Sequence, residues 1–324
     1  MDDQLLAHLR SLDGLEIQEH ALLSGYTRFG IGGPADLLVD ALSESSMIAA
    51  LVVLREAGVP FEVIGEGSNL IVSDEGFRGV ILRYRASAIQ FEGNCVRIAA
   101  GAILQDLVDQ SIMHGLAGVH TMTGIPGSVG AAVYGNAGAY GRSISQSVHS
   151  VRYCDGTNLD TKTNAQCDFH YRESTFKQNK QWVILSAELH LEPASATELK
   201  TKADGIRKIR DEKYPPALRC AGSIFKNLIL AELDSCVQSR VPTKVIREGK
   251  VPAAWFLDEA GVKGMRVGGI HVADYHANLI FNAGGGTSAD LRTVIDRCKH
   301  RVQDHFGSLT LEEEVQYIGF PSPL

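Results

Sequence analysis

Two glycine-rich segments stand out because their chemistry lies in backbone amides rather than in reactive side chains. They are "GEGSN", residues 65–69, and "GIPGSVG", residues 124–130. Glycine permits positive φ, so successive N–H groups can point into one concavity and bind an anion without a cationic side chain. Neither segment matches the G-x-G-x-x-G fingerprint, because "GEGSNL" lacks the third glycine and leads into further strand. The sequence therefore predicts a dinucleotide bound in a non-Rossmann manner.

The second segment lies within a longer glycine-dense stretch, "TMTGIPGSVGAAVYGNAGAYG", residues 121–141. We expect neither a stable helix nor an ordinary strand there. For any single glycine, a tight turn or a close sheet contact is the commoner explanation. Their accumulation in a segment with few charges favours a flat, apolar ligand that lies on the backbone while amides bind its polar edge. An isoalloxazine ring and a pyrophosphate fit that description.

Composition excludes several classes of protein. The 324 residues are 44% hydrophobic, which is enough for two or three packed units. A formal charge of −7, with no Lys/Arg-rich block, argues against a nucleic-acid partner. No apolar run approaches the ~20 residues of a membrane span, and the N-terminus lacks a basic-then-apolar signal pattern. We expect a cytoplasmic protein with no membrane association and no obligate protein partner.

Cysteine and histidine spacing predicts neither a disulfide framework nor a metal site. The six cysteines include no C-x-x-C pair, and the 11 histidines form no H-E-x-x-H pattern. We interpret the thiols as buried or incidental, and the histidines as packing or surface residues.

The elements that must position the glycine loops alternate between strand and helix. A strand at residues 37–39, a helix opened by Ser43 or Ser45, and the strand "FEVI" lead into "GEGSNL". In the second half we predict helices over 199–213 and 288–306, with strands at "HANLIFN" and "LEEEVQYIG". The fold class is α+β. We predict a first domain over residues 1–196, with subdomains of about 1–59 and 60–196, and a second over 197–324.

Seven ordered motifs resemble those of the UDP-N-acetylenolpyruvoylglucosamine reductases, the MurB family of flavoenzymes in peptidoglycan precursor synthesis. The likeness extends over about residues 26–319. The motifs are "YTRFGIGGPADLLV", "GEGSNLIVSDEGFRGVILR", "GIPGSVGAAVYGNAGAYG", "FHYRESTFK", "CAGSIFKN", "AGVKGMRVGGIHVADYHANLIFN" and "LEEEVQYIG".

The resemblance implies an FAD-binding domain of the vanillyl-alcohol-oxidase type and a smaller α+β domain that binds the UDP-sugar substrate. It places the FAD pyrophosphate and ring along the glycine loops. The cofactor-binding residues it implies are Gly65, Gly67, Ser68, Asn69, Leu70, Gly124, Ile125, Pro126, Gly127, Ser128, Gly130, Asn136 and Gly138.

The resemblance also implies the reaction: NADPH reduces FAD, and the reduced flavin delivers a hydride to an enolpyruvyl ether. Ser223 in "CAGSIFKN" matches the family's proton donor. Arg172 in "FHYRES" matches the arginine at the substrate carboxylate, and Glu314 in "LEEEVQYIG" matches the family's glutamate. Without the motifs, each would be interpreted as an ordinary turn serine, surface arginine or solvated acid.

Three further residues are implied to bind substrate. Lys226 and Asn227 follow Ser223 closely, and Lys213 resembles a lysine that neutralises the UDP diphosphate. Alternation along a strand would direct Glu312 and Glu314 to one face and Glu313 to the other.

The short interval between Phe176 and Ser223 resembles the subtype without a tyrosine-bearing insert. Arg28, Ala131 and Leu228 depart from the family pattern, but none of them replaces a catalytic group. Two alternatives stay open: a flavin oxidase with the same type of FAD domain that acts on an alcohol or sugar, and a non-catalytic module that binds flavin or a nucleotide sugar.

Overall fold

The computed structural model describes residues 3–156 and 158–321. These residues divide into two compact units. The first unit takes its described residues from 1–21, 35–66 and 78–212, and the second from 22–34, 67–77 and 213–324. Two short segments of the first half thus belong to the second unit, and the first unit continues past the predicted boundary at residue 196. The predicted functional domains stay a prediction.

The strands, numbered in chain order, are β1 Leu15–Glu19, β2 Ala35–Ala41, β3 Phe61–Ile64, β4 Leu70–Val72, β5 Phe77–Tyr84, β6 Ile89–Glu92, β7 Cys95–Ala99, β8 Leu116–Ala117, β9 Gly138–Ala139, β10 Arg142–Ser143, β11 Val148–Cys154, β12 Leu159–Thr163, β13 Val183–His190, β14 Glu192–Pro193, β15 Cys220–Ser223, β16 Leu228–Ile229, β17 Lys250–Val251, β18 Arg266–Val267, β19 Ile270–Ala273, β20 His276–Asn282 and β21 Gln316–Ile318. The α-helices are α1 Asp3–Arg10, α2 Glu44–Glu56, α3 Leu104–Met113, α4 Val129–Tyr134, α5 Thr175–Gln178, α6 Ala196–Lys213, α7 Ser235–Arg240, α8 Ala253–Glu259 and α9 Ser288–Phe306.

The first unit contains a four-stranded sheet of order β1-β2-β5-β3 and a five-stranded sheet of order β12-β11-β13-β7-β6. Helix α2 begins after Ser43, whose hydroxyl accepts from the Ser46 N–H in a capping box. The apolar faces of α2 and α3 pack into one core with strands of both sheets.

The glycine-dense stretch differs from the prediction that it would contain no helix. Residues 120–122 form a 3-10 turn, and α4 follows at Val129–Tyr134 with Gly130 inside it. The Ser128 hydroxyl caps this helix by accepting from the Ala131 N–H at 3.3 Å. A six-residue helix tolerates one glycine because tertiary packing, rather than helix propensity, stabilises so short a segment.

The second unit contains a four-stranded sheet of order β15-β20-β19-β18, on which α8 and α9 pack through a largely apolar core. Helix α9 spans the predicted 288–306, and a capping box at Thr287 begins it. Strand β4 pairs in parallel with β21. No described helix has the length and apolarity that a membrane span requires.

The run of acids at 312–314 directly precedes strand β21, and its main chain pairs with the segment after β15: Glu314 N donates to Ile224 O at 2.8 Å, and Lys226 N donates to Glu312 O at 2.9 Å. Only Glu313 forms a bridge, with Phe225. Glu312 pairs with Lys226, with 2.5 Å between Oε1 and Nζ, and Glu313 pairs with Lys299. Glu312 and Glu313 thus pair with different lysines, and the alternation of faces stays a prediction.

Candidate active site

The two predicted cofactor loops meet within the first unit. A Cβ atom placed on Gly65 would lie 2.8 Å from Ser128 Oγ, closer than real side chains approach. The Ser128 residue also connects its loop to α3, because Leu104 N donates to Gly127 O at 3.0 Å and Ile103 bridges to Ser128. The loop after β3 and the loop before α4 are thus parts of one packed arrangement.

Other glycines of these loops face the protein's own main chain. The Gly130 N–H donates to Ala100 O at 2.8 Å, and an added Cβ would lie 2.8 Å from Ala100 Cβ. An added Cβ on Gly138 would lie 2.6 Å from Arg142 O. At these positions glycine is required by close packing inside the protein, whereas the sequence had suggested that the cofactor itself required it.

The segment before Gly127 nevertheless offers polar groups that fit a flavin nucleotide. Thr121 Oγ1 is buried and has no hydrogen-bond partner within the described residues. Gly124 and Gly127 have φ of +73° and +121°, and the Gly124 N–H donates to Gln105 Oε1 at 2.7 Å. Ile125 N donates to Met122 O at 3.0 Å, which turns the chain into Pro126. A buried hydroxyl and a turn with positive φ suit the polar edge of such a cofactor.

The Asn136 side chain forms hydrogen bonds with the main chain of two other segments. Its Nδ2 donates to His170 O at 2.7 Å, and its Oδ1 accepts from Ser145 N at 3.3 Å. The residue is 6% exposed and has φ of +42°. Its direct role in this structure is to hold the turn that carries Arg172.

Arg172 lies in a tight turn in which His170 and Glu173 bridge. Its φ is +60°, a left-handed conformation that costs a non-glycine residue free energy. The guanidinium Nη2 donates to Gly138 O at 3.1 Å, and the Arg172 carbonyl accepts from Lys177 Nζ at 2.9 Å. Lys177 also pairs with Glu173 at 2.8 Å. The turn therefore aims Arg172 toward the segment of Gly138.

Ser223 is the last residue of β15 in the second unit. Its Oγ lies 2.9 Å from the Tyr214 hydroxyl, and either atom can be the donor. Gly222, directly before it, has φ of +76°, and an added Cβ there would meet no atom within 4 Å. Open space thus adjoins the main chain of the predicted proton donor.

The structure connects the Glu314 main chain to both predicted loops of the second unit. Glu314 N donates to Ile224 O at 2.8 Å, next to Ser223, and Glu314 O accepts from Asn69 Nδ2 at 2.9 Å. Gln316 N in turn donates to Asn69 O at 3.0 Å. Asn69, predicted as a cofactor residue, therefore holds the glutamate in position.

The remaining residues of "GEGSNL" also lie in the second unit. Gly67 has φ of +63°, and an added Cβ would lie 1.9 Å from Tyr26 O, so only glycine fits. Ser68 lies in the turn that follows, and Leu70 begins β4 opposite Gln316.

The predicted substrate residues lie in different environments. Lys226 is 7% exposed and is paired with Glu312. Asn227 Oδ1 accepts from Ala253 N at 3.3 Å. Lys213 ends α6, and its ammonium group lies 5.0 Å from the centre of the Tyr214 ring.

Sequence reasoning missed two residues of this region, Tyr214 and His276. His276 has a ring centroid 6.1 Å from that of Tyr214, and burial followed by the charge of Lys213 lowers its pKa to about 4. A tyrosine before two prolines carries no signal of its own. Asn278 braces the main chain beside Ser223: its side chain accepts from Phe225 N at 3.0 Å and donates to Phe225 O at 2.9 Å.

Comparison with known proteins gives the class. A family model described as an FAD binding domain matches residues 35–159. A second model, the C-terminal domain of UDP-N-acetylenolpyruvoylglucosamine reductase, matches residues 214–318. Together with the α+β architecture, these matches define an NADPH-dependent flavoprotein oxidoreductase with FAD as its cofactor.

The particular family follows from relatives along the whole chain. A reductase of that name from Solibacter usitatus is 53% identical and aligns over 96% of this chain and 99% of its own length. The Bacillus subtilis reductase is 32% identical, with 98% and 99% covered. The crystal structure of MurB from Thermus caldophilus has a TM-score of 0.73 at 27% identity, covering 94% of this chain and 98% of that one. The chain belongs to the UDP-N-acetylenolpyruvoylglucosamine reductase family, which confirms the family and the α+β fold class predicted from sequence.

Proposed function

We propose that this protein uses NADPH and FAD to reduce the enolpyruvyl ether of UDP-N-acetylglucosamine-enolpyruvate to UDP-N-acetylmuramate in the cytoplasm. The observation that carries the proposal is the hydrogen bond from Glu314 N to Ile224 O. Because Ile224 directly follows Ser223, this bond brings the Glu314 main chain next to the Ser223 segment, although the two lie far apart in the sequence. Ser223 and Glu314 are the residues that this chemistry needs near each other.

Held along the loops at residues 65–70 and 124–130, FAD would supply the hydride chemistry that reduction of the methylene carbon requires. We assign to Ser223 the role of proton donor: its Oγ donates a proton to the neighbouring carbon of the substrate. Negative charge that spreads onto the substrate carboxylate is assigned to the Arg172 guanidinium, whose planar fork suits a carboxylate. The Glu314 main chain is held at both its N–H and its carbonyl, and we assign to its side chain a share in stabilising the intermediate.

Substrate binding is assigned to Lys213, Lys226 and Asn227. Lys226 is buried and paired with Glu312. We assign to it two roles: it holds the Ser223 segment in position, and it binds polar groups of the substrate. Lys213 is half-buried at the end of α6, and we assign its ammonium group to the diphosphate of the substrate.

The decisive experiment separates the two half-reactions. In anaerobic stopped flow, Ser223→Ala should leave flavin reduction by NADPH unchanged and slow flavin reoxidation by the enolpyruvyl substrate by roughly 10²–10⁴-fold. Ser239→Ala, which removes an exposed hydroxyl bound only to Cys236 O at 2.8 Å, is the control. Reoxidation at the wild-type rate in Ser223→Ala would refute the assignment.

Flavin spectra recorded with and without oxygen test the two alternatives. A flavin oxidase would be reoxidised by oxygen with release of peroxide and would not respond to the enolpyruvyl sugar nucleotide. A binding module would stay yellow in the presence of NADPH. The reductase is bleached by NADPH and recovers its colour when the substrate is added.

A further inference from the structure

The hydrogen bond between Tyr214 and Ser223 joins two hydroxyls of very different acidity. The oxygens are 2.9 Å apart, within the range of a well-formed O–H···O bond. A phenol is a much stronger acid than an aliphatic alcohol. When Ser223 gives up its proton, the phenol is therefore the group that donates to the resulting alkoxide.

The surroundings of Tyr214 hold its hydroxyl in place. Pro215 follows it and restricts its backbone to extended conformations. The Lys213 ammonium lies 5.0 Å from the centre of its ring, and the Tyr275 hydroxyl donates to Lys213 O at 3.3 Å.

We propose that Tyr214 is a positioning residue that orients Ser223 and restores its proton during turnover. The inference rests on the proposed function. As the Ser223 O–H bond breaks and a C–H bond forms on the substrate, the Tyr214 O–H bond breaks and the Ser223 O–H bond forms again. Water then returns a proton to the phenol oxygen, so protons balance and no electrons are exchanged.

Tyr214→Phe removes only the oxygen and keeps the ring against Lys213. We expect flavin reduction by NADPH and the substrate Kd to stay unchanged, while flavin reoxidation slows by roughly 10- to 100-fold, as for a lost hydrogen bond to a charged group. Tyr153→Phe is the matched control, because it removes a phenol hydroxyl that donates to Asp160 Oδ2 at 3.2 Å in the first unit. It should reoxidise at the wild-type rate.

A double variant distinguishes this role from a structural one. If Tyr214 acts through Ser223, Tyr214→Phe adds no further loss to Ser223→Ala. Additive losses, or wild-type reoxidation in Tyr214→Phe, would overturn the inference. A wild-type protein that NADPH bleaches but the substrate never reoxidises would instead overturn the proposed function, and this inference with it.

A separate cluster lies on the five-stranded sheet of the first unit. Cys95 on β7 and His190 on β13 are direct cross-strand partners, and Glu188 lies two residues before His190 on the same face. The Cys95 sulfur, a Glu188 oxygen and a His190 nitrogen all lie within 4.8 Å of one another. Thiolate, imidazole and carboxylate together form a donor set typical of zinc.

The arrangement leaves the ligand atoms directed toward one another. Arg97 Nη1 pairs with Glu92 at 2.8 Å, and its Nε pairs with Glu188 Oε2 at 3.2 Å. The other oxygen, Glu188 Oε1, lies 3.3 Å from His190 Nε2. The cation Arg97 is thus shared with a second acid. His190 is exposed, so an ion can reach the cluster from solvent.

We infer that Cys95, Glu188 and His190 form a binding site for Zn²⁺ or a similar divalent ion. The spacing rules do not cover this set, because Cys95 and Glu188 lie 93 positions apart. Zinc–ligand distances are about 2.0–2.3 Å, so an ion between the three atoms requires them to be close neighbours, as they are here.

Equilibrium dialysis of the flavoprotein against micromolar Zn²⁺, followed by elemental analysis, tests this site. We expect one ion per chain and at least a tenfold weaker affinity in Cys95→Ser and in His190→Ala. Cys236→Ser, which removes an exposed thiol outside the cluster, should bind as the wild type does. Absence of bound zinc, or equal affinity in Cys95→Ser, would overturn the inference.

Discussion

The Gly124–Gly130 segment and the Ser223 segment are positioned by different means. In the first, main chain packs on main chain: Gly130 donates to Ala100 and has no room for a methyl group. In the second, side chains bind main-chain groups: Asn278 bonds to both the N–H and the carbonyl of Phe225, and Asn69 donates to the Glu314 carbonyl. The first segment is therefore sensitive to added volume, and the second to loss of specific polar atoms.

The largest expected effect comes from removing the side-chain brace. Asn278→Ala leaves the buried Phe225 N–H and carbonyl without partners, which we expect to lower the free energy of unfolding by about 3 kcal/mol. Chemical denaturation measures this change. Asn94→Ala, at an exposed position, should change stability by less than about 0.5 kcal/mol.

The Asn278 variant also tests whether the brace serves the site. The substitution should slow flavin reoxidation more than flavin reduction, because only the former uses Ser223. Equal effects on both half-reactions would mean that Asn278 stabilises the unit without orienting the proton donor.

Added volume tests the other segment. Gly130→Ala places a Cβ 2.8 Å from Ala100 Cβ and 3.0 Å from Ala100 O, and overpacking of this kind costs about 2 kcal/mol. We expect a lower denaturation midpoint together with weaker FAD retention on gel filtration. Unchanged stability would show that the main-chain contact at Gly130 relaxes easily, and the contrast between the two segments would then fail.

Burial of His276, in the second unit, predicts that the stability of the protein depends on pH. Its pKa is lowered from 6.5 to about 4, chiefly by burial. Between these pH values the unfolded chain binds a proton that the folded chain does not, so stability falls as pH falls, by at most ~1.4 kcal/mol per pH unit. In His276→Gln the denaturation midpoint should depend less on pH over this range. The control His300→Gln, at an exposed position, should keep the wild-type dependence. An unchanged slope in His276→Gln would contradict the assignment.

The sequence predicted the local elements better than the network that unites them. Helix α9 runs over the predicted residues because its capping box and apolar periodicity are local signals. The contact between Asn69 and Glu314 joins residues 245 positions apart, and no local pattern encodes it. Spacing along a strand likewise does not reveal that Glu312 pairs with Lys226 and Glu313 with Lys299.

The smallest expected effect is a gain in stability. It separates the effect of close packing from the low helix propensity of glycine. Gly205 lies at an exposed position inside α6, and an added Cβ there would meet no atom within 4 Å. Alanine has the higher helix propensity, so Gly205→Ala should stabilise the protein by about 0.5–1 kcal/mol in chemical denaturation. The same substitution in two helices of one unit thus takes opposite signs at Gly130 and Gly205. A loss of stability at both positions would mean that backbone conformation, and not the contact with Ala100, decides the outcome.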